Sequence, residues 1–373
     1  MQIAVVTHSI VKGDGQGRVA YEIARRALSQ GHAVDLLSDR AGDELMRLGA
    51  RWRPVHPRVQ EPILFKIRDF ALRANRALQA ADSHYDIVQG FGYVLTRNHH
   101  VSGSQFVHDA WRKSPYHIAR GRRDVWGIYQ WLYTRLNARW EAQAYHKAQA
   151  VVACSHGVKA ELISLGIAEQ RIQVIWNAVD PTEFRPGAGN RAEIGLPEGV
   201  PLAIFVGDIR TGRKNLDTVL RALVHTPGVH LAVVGEVRDS PYPSLARTLR
   251  VADRVHFLGF RRDVAEVMRA ADVYVFPSRY EPFGIVVLEA LASGKPVITA
   301  TTVGASEVVT PDCGIVLSDP NDTQAMACAI REIMDDPCRR ASMGEAARAV
   351  AENHSWTQMA SRYLALYEEI AHA

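Results

Sequence analysis

The stretch Ala271-Asp-Val-Tyr-Val-Phe-Pro-Ser278, followed by Glu281-Pro-Phe-Gly-Ile-Val-Val-Leu-Glu289 and Gly294-Lys-Pro-Val297, decides how this chain folds. Val273–Phe276 is a short apolar run rich in β-branched and aromatic residues, the signature of a buried strand. Ile285 to Ser293 reads as a helix, and Gly294-Lys-Pro296 is a stop signal. Glu281 therefore falls in a strand-to-helix loop, Gly284 opens the helix and Glu289 lies about one turn inside it. Helical side chains lean toward the N-terminus. Two carboxylates then flank a helix start whose unpaired amides and positive dipole end favour an anion. The pattern suits a ligand with phosphate in its middle and hydroxyls at either end, as in a sugar nucleotide.

Outward from that stretch, strand-like runs alternate with helical ones. Residues 3–7, 33–37, 87–89, 151–153 and 173–175 are the strand candidates of the first half. Residues 202–206, 231–234, 255–258, 273–276 and 297–300 are those of the second. Such alternation implies parallel sheets covered by helices on both faces. Pro- and Gly-rich segments at 180–189 and 195–201 read as a linker. Two Rossmann-like domains are expected, facing each other over a cleft where open α/β sheets place ligands. Trp356, Met359, Tyr363, Leu366, Tyr367 and Ile370 mark one face of a last helix.

Composition bounds the function. The 373 residues suffice for two ordinary domains, and 47% hydrophobic with 23% charged residues is the balance of a soluble globular protein. Four cysteines, at 154, 313, 328 and 338, lack the short spacings of zinc or redox motifs, which predicts reduced thiols and a cytoplasmic setting. Met1-Gln-Ile-Ala-Val-Val6 reads as a first strand rather than a signal peptide, and no stretch approaches bilayer-spanning length.

Charge is unevenly placed. Residues 1–185 hold 25 Lys+Arg against 17 Asp+Glu, whereas the remaining 188 hold 19 against 23. Arg68, Arg73 and Arg76 form one basic group. Arg112, Lys113, Arg120, Arg122, Arg123, Arg135 and Arg139 form another, interleaved with Trp111, Tyr116, Trp126, Tyr129, Trp131 and Tyr133. Aromatics among cations suit an anionic membrane face or an anionic acceptor. A solvated basic face with its aromatics in the core has the same composition. No nucleic-acid-binding motif accompanies the charge.

Further motifs lie at strand ends. Phe205-Val-Gly-Asp-Ile-Arg-Thr-Gly-Arg-Lys-Asn215 follows a strand and precedes a helix, which puts Arg213 and Lys214 at a ligand-facing loop. Cations fixed there stabilise negative charge developing on a departing diphosphate. Lys12-Gly-Asp-Gly-Gln-Gly-Arg18 opens the first helix, but its glycines at 13, 15 and 17 miss the dinucleotide spacing, so an NAD site is not indicated. Gly15 and Gly17 are the positions for close backbone approach. There is no Asp-x-Asp pair to hold magnesium, so neither a metal nor another cofactor is expected.

Together these segments resemble the retaining glycosyltransferases of family 4, with the GT-B fold. The likeness runs over nearly the whole chain and is dense from about residue 204 to 314. It implies an N-terminal acceptor domain of residues 1–185 joined by a returning C-terminal helix 356–373, and a sugar-nucleotide domain of residues 200–355. By resemblance the donor is a UDP- or GDP-hexose, held by Gly15, Gly17, Arg213, Lys214, Phe260, Glu281, Phe283, Gly284, Ile285 and Glu289. Glu281 takes the sugar, Glu289 the ribose, and the segment ending at Phe260 the base. His108 would touch the sugar near the reacting carbon, with Asp109 orienting it and Gly92 shaping the acceptor side, so that His108, Arg213, Lys214 and Glu281 carry the chemistry. One departure is Asp208, where the family commonly has an Arg; Arg210 is the substitute.

The resemblance implies transfer of a hexose to a glycan or lipid-linked sugar at the inner membrane face, in lipopolysaccharide, capsule or exopolysaccharide synthesis. Configuration would be retained by front-face attack, because no second carboxylate presents itself for double displacement. A sugar-nucleotide epimerase or phosphorylase, and a non-catalytic glycan-binding protein, are the alternatives on the same fold.

Overall fold

The computed structural model describes residues 1–13, 15–81 and 84–372. They form two compact units. The first comprises Met1–Ser114, Ala119–Asn177 and the segment from Trp356 onward, and the second comprises Pro115–Ile118 and Ala178–Ser355. Asp14, in the glycine-rich loop, lies outside the described residues.

In chain order the first unit contains β1 (Gln2–Val6), β2 (Ser9–Ile10), α1 (Gly15–Ser29), β3 (Ala33–Ser38), β4 (Arg40–Ala41), α2 (Asp43–Arg47), β5 (Arg51–Pro54) and α3 (Ile63–Ala80). It continues with β6 (Ile87–Phe91), β7 (His99–Ser104), α4 (His108–Lys113), α5 (Val125–Lys147), β8 (Ala148–Ala153), α6 (His156–Ser164) and β9 (Ile172–Val174). Seven strands make one parallel sheet in the order β5-β3-β1-β6-β7-β8-β9, while β2 and β4 pair separately. Ile3, Ala4, Val5 and Val6 are all fully buried, which explains why this strand reads as an unbroken apolar run.

The second unit follows with β10 (Leu202–Val206), α7 (Leu216–Leu223), β11 (His230–Val234), α8 (Tyr242–Thr248), β12 (Val255–Gly259), α9 (Val264–Ala270), β13 (Val273–Phe276) and α10 (Ile285–Ala292). Then come β14 (Val297–Ala300), β15 (Gly314–Leu317), α11 (Thr323–Met334) and α12 (Pro337–Glu352). Its parallel sheet has the order β12-β11-β10-β13-β14-β15, the doubly wound arrangement. Both units reverse strand order once, between β1 and β6 and between β10 and β13. Loops leaving the strands at such a switch point diverge, and the gap between them is where these folds bind ligands.

The last helix, α13 (Trp356–Ala371), packs along α1 in the first unit. The Arg18 guanidinium covers the Trp356 ring at 5.4 Å, Arg26 Nε donates to Ser361 Oγ at 3.1 Å, and Tyr367 OH donates to Gln89 Oε1 at 2.9 Å. The apolar face read from the sequence is buried through Trp356, Met359, Tyr363, Leu366 and Tyr367.

The sheet strands β5, β7 and β15, and the short pair β2 and β4, were not among the strands expected from the sequence. The stretch that leads to Phe106–Asp109 contains β7, an inner strand of sequence His-His-Val-Ser-Gly-Ser. Its polar side chains are buried rather than exposed, and Ser104 Oγ accepts from the buried Tyr145 OH at 3.1 Å. The edge strand β5 was likewise unmarked, because Arg-Trp-Arg-Pro at a largely exposed sheet edge carries no apolar run.

Candidate functional site

In the second unit the loops after β10 and β13, the two strands at the switch point, are tied together. Asn215, fully buried in a left-handed conformation (φ 65°), donates through Nδ2 to the carbonyls of Pro277 at 2.9 Å and Pro320 at 2.6 Å. The Arg279 amide and the Ser278 hydroxyl both donate to the Arg213 carbonyl, at 2.9 and 3.1 Å. Arg279 also donates to Gly212 O at 2.8 Å and forks onto Asp217. The turn Gly212–Lys214 is thus fixed from both sides.

Onto this frame come the charged groups. Lys214 Nζ rests on Glu281 Oε2 and lies 5.1 Å over the Phe276 ring. Arg213 Nη1 is 3.6 Å from the same oxygen and donates to Tyr280 O at 3.2 Å. Burial opposes ionisation of Glu281, but the Lys214 and Arg213 charges outweigh it and hold its carboxyl below the ordinary glutamate range. Burial pushes the Lys214 ammonium down, Arg213 adds to the depression, and Glu281 offsets only part of it. The sequence assigned Lys214 to diphosphate and Glu281 to sugar; in the structure the two hold each other.

Gly284 begins α10 with φ 91°, and a Cβ there would stand 3.1 Å from Glu281 Cγ and 3.2 Å from Val303 Cγ1. Only glycine satisfies both the conformation and the space. No side chain caps this helix start; the Val287 amide turns back to the Gly284 carbonyl at 2.9 Å, and those of Ile285 and Val286 precede the first intrahelical bond. Phe283 is buried, so only its backbone can meet a ligand, and Ile285 and Glu289 are half-buried. Glu289 and Glu281 both raise the phenol of Tyr274, after burial itself, so both carboxylates lie near that ring. Tyr274 is fully buried and its hydroxyl has no protein partner. Phe260, at the end of β12, stands 73% exposed. Asp208 is engaged by Arg210 Nε at 2.9 Å, so both halves of that departure from the family pattern are occupied with each other.

A second constellation lies at the switch point of the first unit. A cavity of about 650 Å³ is lined by His8 and Gln16 after β1, Gly92 and Tyr93 after β6, Lys66 of α3, and His108 and Glu141. The Glu141 carboxylate meets His108 twice: the His108 amide donates to Oε2 at 3.0 Å, and ring Nδ1 lies 2.8 Å from Oε1. The ring approach is out of line for a hydrogen bond. Phe106 and Tyr133 flank the imidazole at 4.9 and 5.8 Å between ring centroids. Burial, then Glu141 and Tyr129, push the Tyr133 phenol up to about 12. Gly92 (φ 59°) borders this acid, since a Cβ would lie 3.5 Å from Glu141 Oε1.

The expectation that Asp109 orients His108 is corrected here. Asp109 turns to Arg112 Nη2 at 2.7 Å and Lys113 Nζ at 2.6 Å, one turn along its own helix. Glu141 takes that place from 33 residues downstream. Its signal was present: Thr134, Asn137, Ala138, Glu141, Ala144 and Tyr145 are buried at helical spacing, a face carrying three polar residues. Gly15 is exposed at the start of α1 with open space where a Cβ would stand, and Gly17 is buried two residues on. Among the described residues, no cluster of three His, Cys, Asp or Glu side chains is placed to hold a metal ion.

Two family models match the chain, "Glycosyltransferase Family 4" over residues 13–183 and "Glycosyl transferases group 1" over residues 188–350. A D-inositol 3-phosphate glycosyltransferase of Xylanimonas cellulosilytica is 34% identical over 246 residues, covering 61% of this chain and 59% of that protein. The chain thus spans about three fifths of the length of this curated relative. Among solved structures, sucrose-phosphate synthase from Thermosynechococcus elongatus superposes with a TM-score of 0.82 at 21% identity, over 99% of each chain. The Anabaena protein HepE, solved in complex with UDP-glucose, superposes with a TM-score of 0.73 at 19% identity, over 100% of each. Two doubly wound parallel-sheet units, the GT-B fold, and family models spanning both of them place this chain in the family 4 glycosyltransferases.

Proposed function

We propose that the chain is a retaining, metal-independent hexosyltransferase that uses a UDP- or GDP-hexose and glycosylates a hydroxyl of a glycan or lipid-linked sugar. The observation that carries this reading is the Lys214–Glu281 contact at the β10/β13 switch point, beside the uncapped start of α10. There the donor diphosphate would lie across Arg213, Lys214 and the amides of Phe283, Gly284 and Ile285. Glu281 would turn from Lys214 to the sugar hydroxyls, Glu289 would take the ribose, and Phe260 offers an exposed ring near the base. Gly15 and Gly17 would let backbone approach the donor.

As the glycosidic C–O bond breaks, negative charge grows on the departing diphosphate. The Arg213 and Lys214 charges favour that separated state over the ground state. The acceptor hydroxyl attacks the same face and passes its proton to the leaving phosphate, which preserves configuration. His108, held by Glu141, would orient the reacting sugar.

A panel of sugar nucleotides assayed for nucleoside diphosphate release tests the activity, and NMR of the product's anomeric centre tests retention. Release from no donor would refute the transferase reading. An inverted product would refute the front-face route. Chelator-treated protein should turn over unchanged.

Polysaccharide or lipopolysaccharide assembly at a membrane face suits the exposed apolar side chains of the first unit. Ile63, Phe65 and Leu72 on α3 and Val125, Trp126, Ile128 and Trp131 on α5 are all at least 45% exposed. Arg68, Arg76, Arg122 and Arg123 are exposed on or next to the same helices. Among the described residues no helix is long and apolar enough to cross a bilayer, so this contact would be peripheral. Co-sedimentation with anionic but not neutral vesicles is the expected result. A second acceptor reading, a small phosphorylated polyol, is favoured by the name of the 34% identical relative.

A further inference from the structure

We infer that Lys66 and Arg40 form a phosphate subsite in the first unit's cavity, so that the acceptor carries a phosphate ester beside the hydroxyl to be glycosylated. This rests on the transferase reading and adds to it the chemical class of acceptor.

The argument begins with charge. The cavity is lined by two carboxylates and two flexible cations, besides His8 and His108. Both carboxylates are engaged, Asp39 by His56 Nδ1 at 2.8 Å and Glu141 by His108. Neither cation has an ion pair or hydrogen bond within the described protein. Other cations of the unit do have such partners: Lys12 contacts Glu44 at 2.9 Å, Arg53 contacts Asp35 at 2.6 Å and Arg73 contacts Asp69 at 3.1 Å. Arg47, Arg76, Arg123 and Arg139 of the same unit likewise have no ion pair among the described residues, so what sets Lys66 and Arg40 apart is their place: these two face a concavity, where low-dielectric walls concentrate their field.

Geometry narrows the ligand. Lys66 comes from α3 and Arg40 from the short strand β4, so the two approach from different elements. An Arg fork joined by a compact ammonium matches the several acceptor oxygens of a phosphate group, in a monoester or a diester, through charge-assisted hydrogen bonds. Gln16, Asn137 and Glu141 line the same cavity and supply donors and acceptors suited to ring hydroxyls. At about 650 Å³ it has room for a phosphorylated sugar or polyol. Such a phosphate could belong to a free phosphopolyol or to a lipid-borne headgroup, and the recognition chemistry is common to both.

The test is calorimetry on the full chain in two arms. One compares inositol 3-phosphate with inositol. The other compares phosphatidylinositol with a phosphate-free glycosyl diacylglycerol, both in detergent micelles. In at least one arm the phosphorylated member should bind about tenfold tighter or more, as charge-assisted contacts to phosphate imply. The Lys66→Gln/Arg40→Gln double variant should erase that preference, and Lys66→Arg should keep it. The arm that responds identifies the source of the phosphate. Equal binding of both members in both arms, or a preference that survives the double variant, overturns the inference. Nucleoside diphosphate release is measured in parallel: its absence with every donor defeats the transferase reading, whereas release without phosphate preference defeats only the subsite.

Discussion

Glu141 Oε1 lies 2.8 Å from His108 Nδ1, while the other oxygen of the same carboxylate accepts the His108 backbone amide at 3.0 Å. One acid therefore fixes both the start of α4 and the ring it carries. Glu141→Gln keeps the volume and removes the charge. Turnover should fall by about tenfold or more, with donor KM nearly unchanged, if the imidazole depends on this partner. Wild-type turnover in this variant would show that the pair is structural.

In the proposed reaction Lys214 works as a cation, and burial makes that charge easier to lose than in an ordinary lysine. The sign follows directly: the competent, protonated form disappears as pH rises through a lowered pKa. Turnover should show an alkaline limb below the ordinary lysine value of 10.5. In Lys214→Arg, whose guanidinium stays charged throughout, that limb should vanish. Lys214→Ala should cut turnover more than donor affinity. Unchanged turnover with weakened ground-state binding would remove Lys214 from the transition state.

Glu289 is assigned the ribose hydroxyls. Glu289→Ala should weaken donor binding by about 1.5–3 kcal/mol, the range for hydrogen bonds to a charged group. Calorimetry with the active sugar nucleotide checks this, and an unaltered Kd would leave the ribose without a partner on α10.

Lys295 supplies a stability test far from the chemistry. Burial pushes its ammonium down to about 8; Asp272 opposes the shift, while Arg191, Arg269 and Arg340 reinforce it. Between about pH 8 and 10.5 the unfolded chain holds a proton on this side chain that the folded chain has released. This residue's contribution to unfolding free energy therefore rises with pH across that window. Replacing Lys295 by Met should stabilise the protein most near pH 7, with the gain shrinking toward pH 10.5. A constant difference between the two proteins in urea melts would contradict the assignment.

Gly284→Ala should unsettle the site before it unfolds the unit. The substitution places a side chain at φ 91° and against Glu281 Cγ. A cost of about 1–3 kcal/mol is expected from the backbone alone, read as a lower urea midpoint. Donor affinity should fall with it, because Glu281 cannot keep its position.

The fold was legible wherever burial alone specifies a strand. Residues 202–206, 273–276 and 297–300 read as strands from their apolar runs and are strands with those limits, because parallel strands covered on both faces need little else. β7 was not legible, since serines and histidines packed inside the fold, such as buried Ser104 beneath Tyr145 OH and half-buried His100 beneath the Val88 amide, look like loop residues in one dimension. The same contrast holds for the site. Glu281 and Glu289 stand in one short motif with the glycine that positions them. Glu141 meets His108 only after α4 and most of α5 have folded back, so proximity in sequence favoured Asp109. Ion-pair geometry chose differently, because Arg112 and Lys113 lie within one helical turn of that aspartate.

The seat of α13 against α1 bears on synthesis. The first unit to leave the ribosome lacks the helix that packs along α1, at Arg18 and Arg26, until the whole of residues 178–355 has followed it. In that interval the surface against which Trp356, Met359, Tyr363 and Tyr367 will be buried stays uncovered, a natural landing place for a chaperone, while the later-made unit can finish folding first. Supplying residues 356–372 as a separate peptide to a nascent chain arrested before that point should release it from such a guardian.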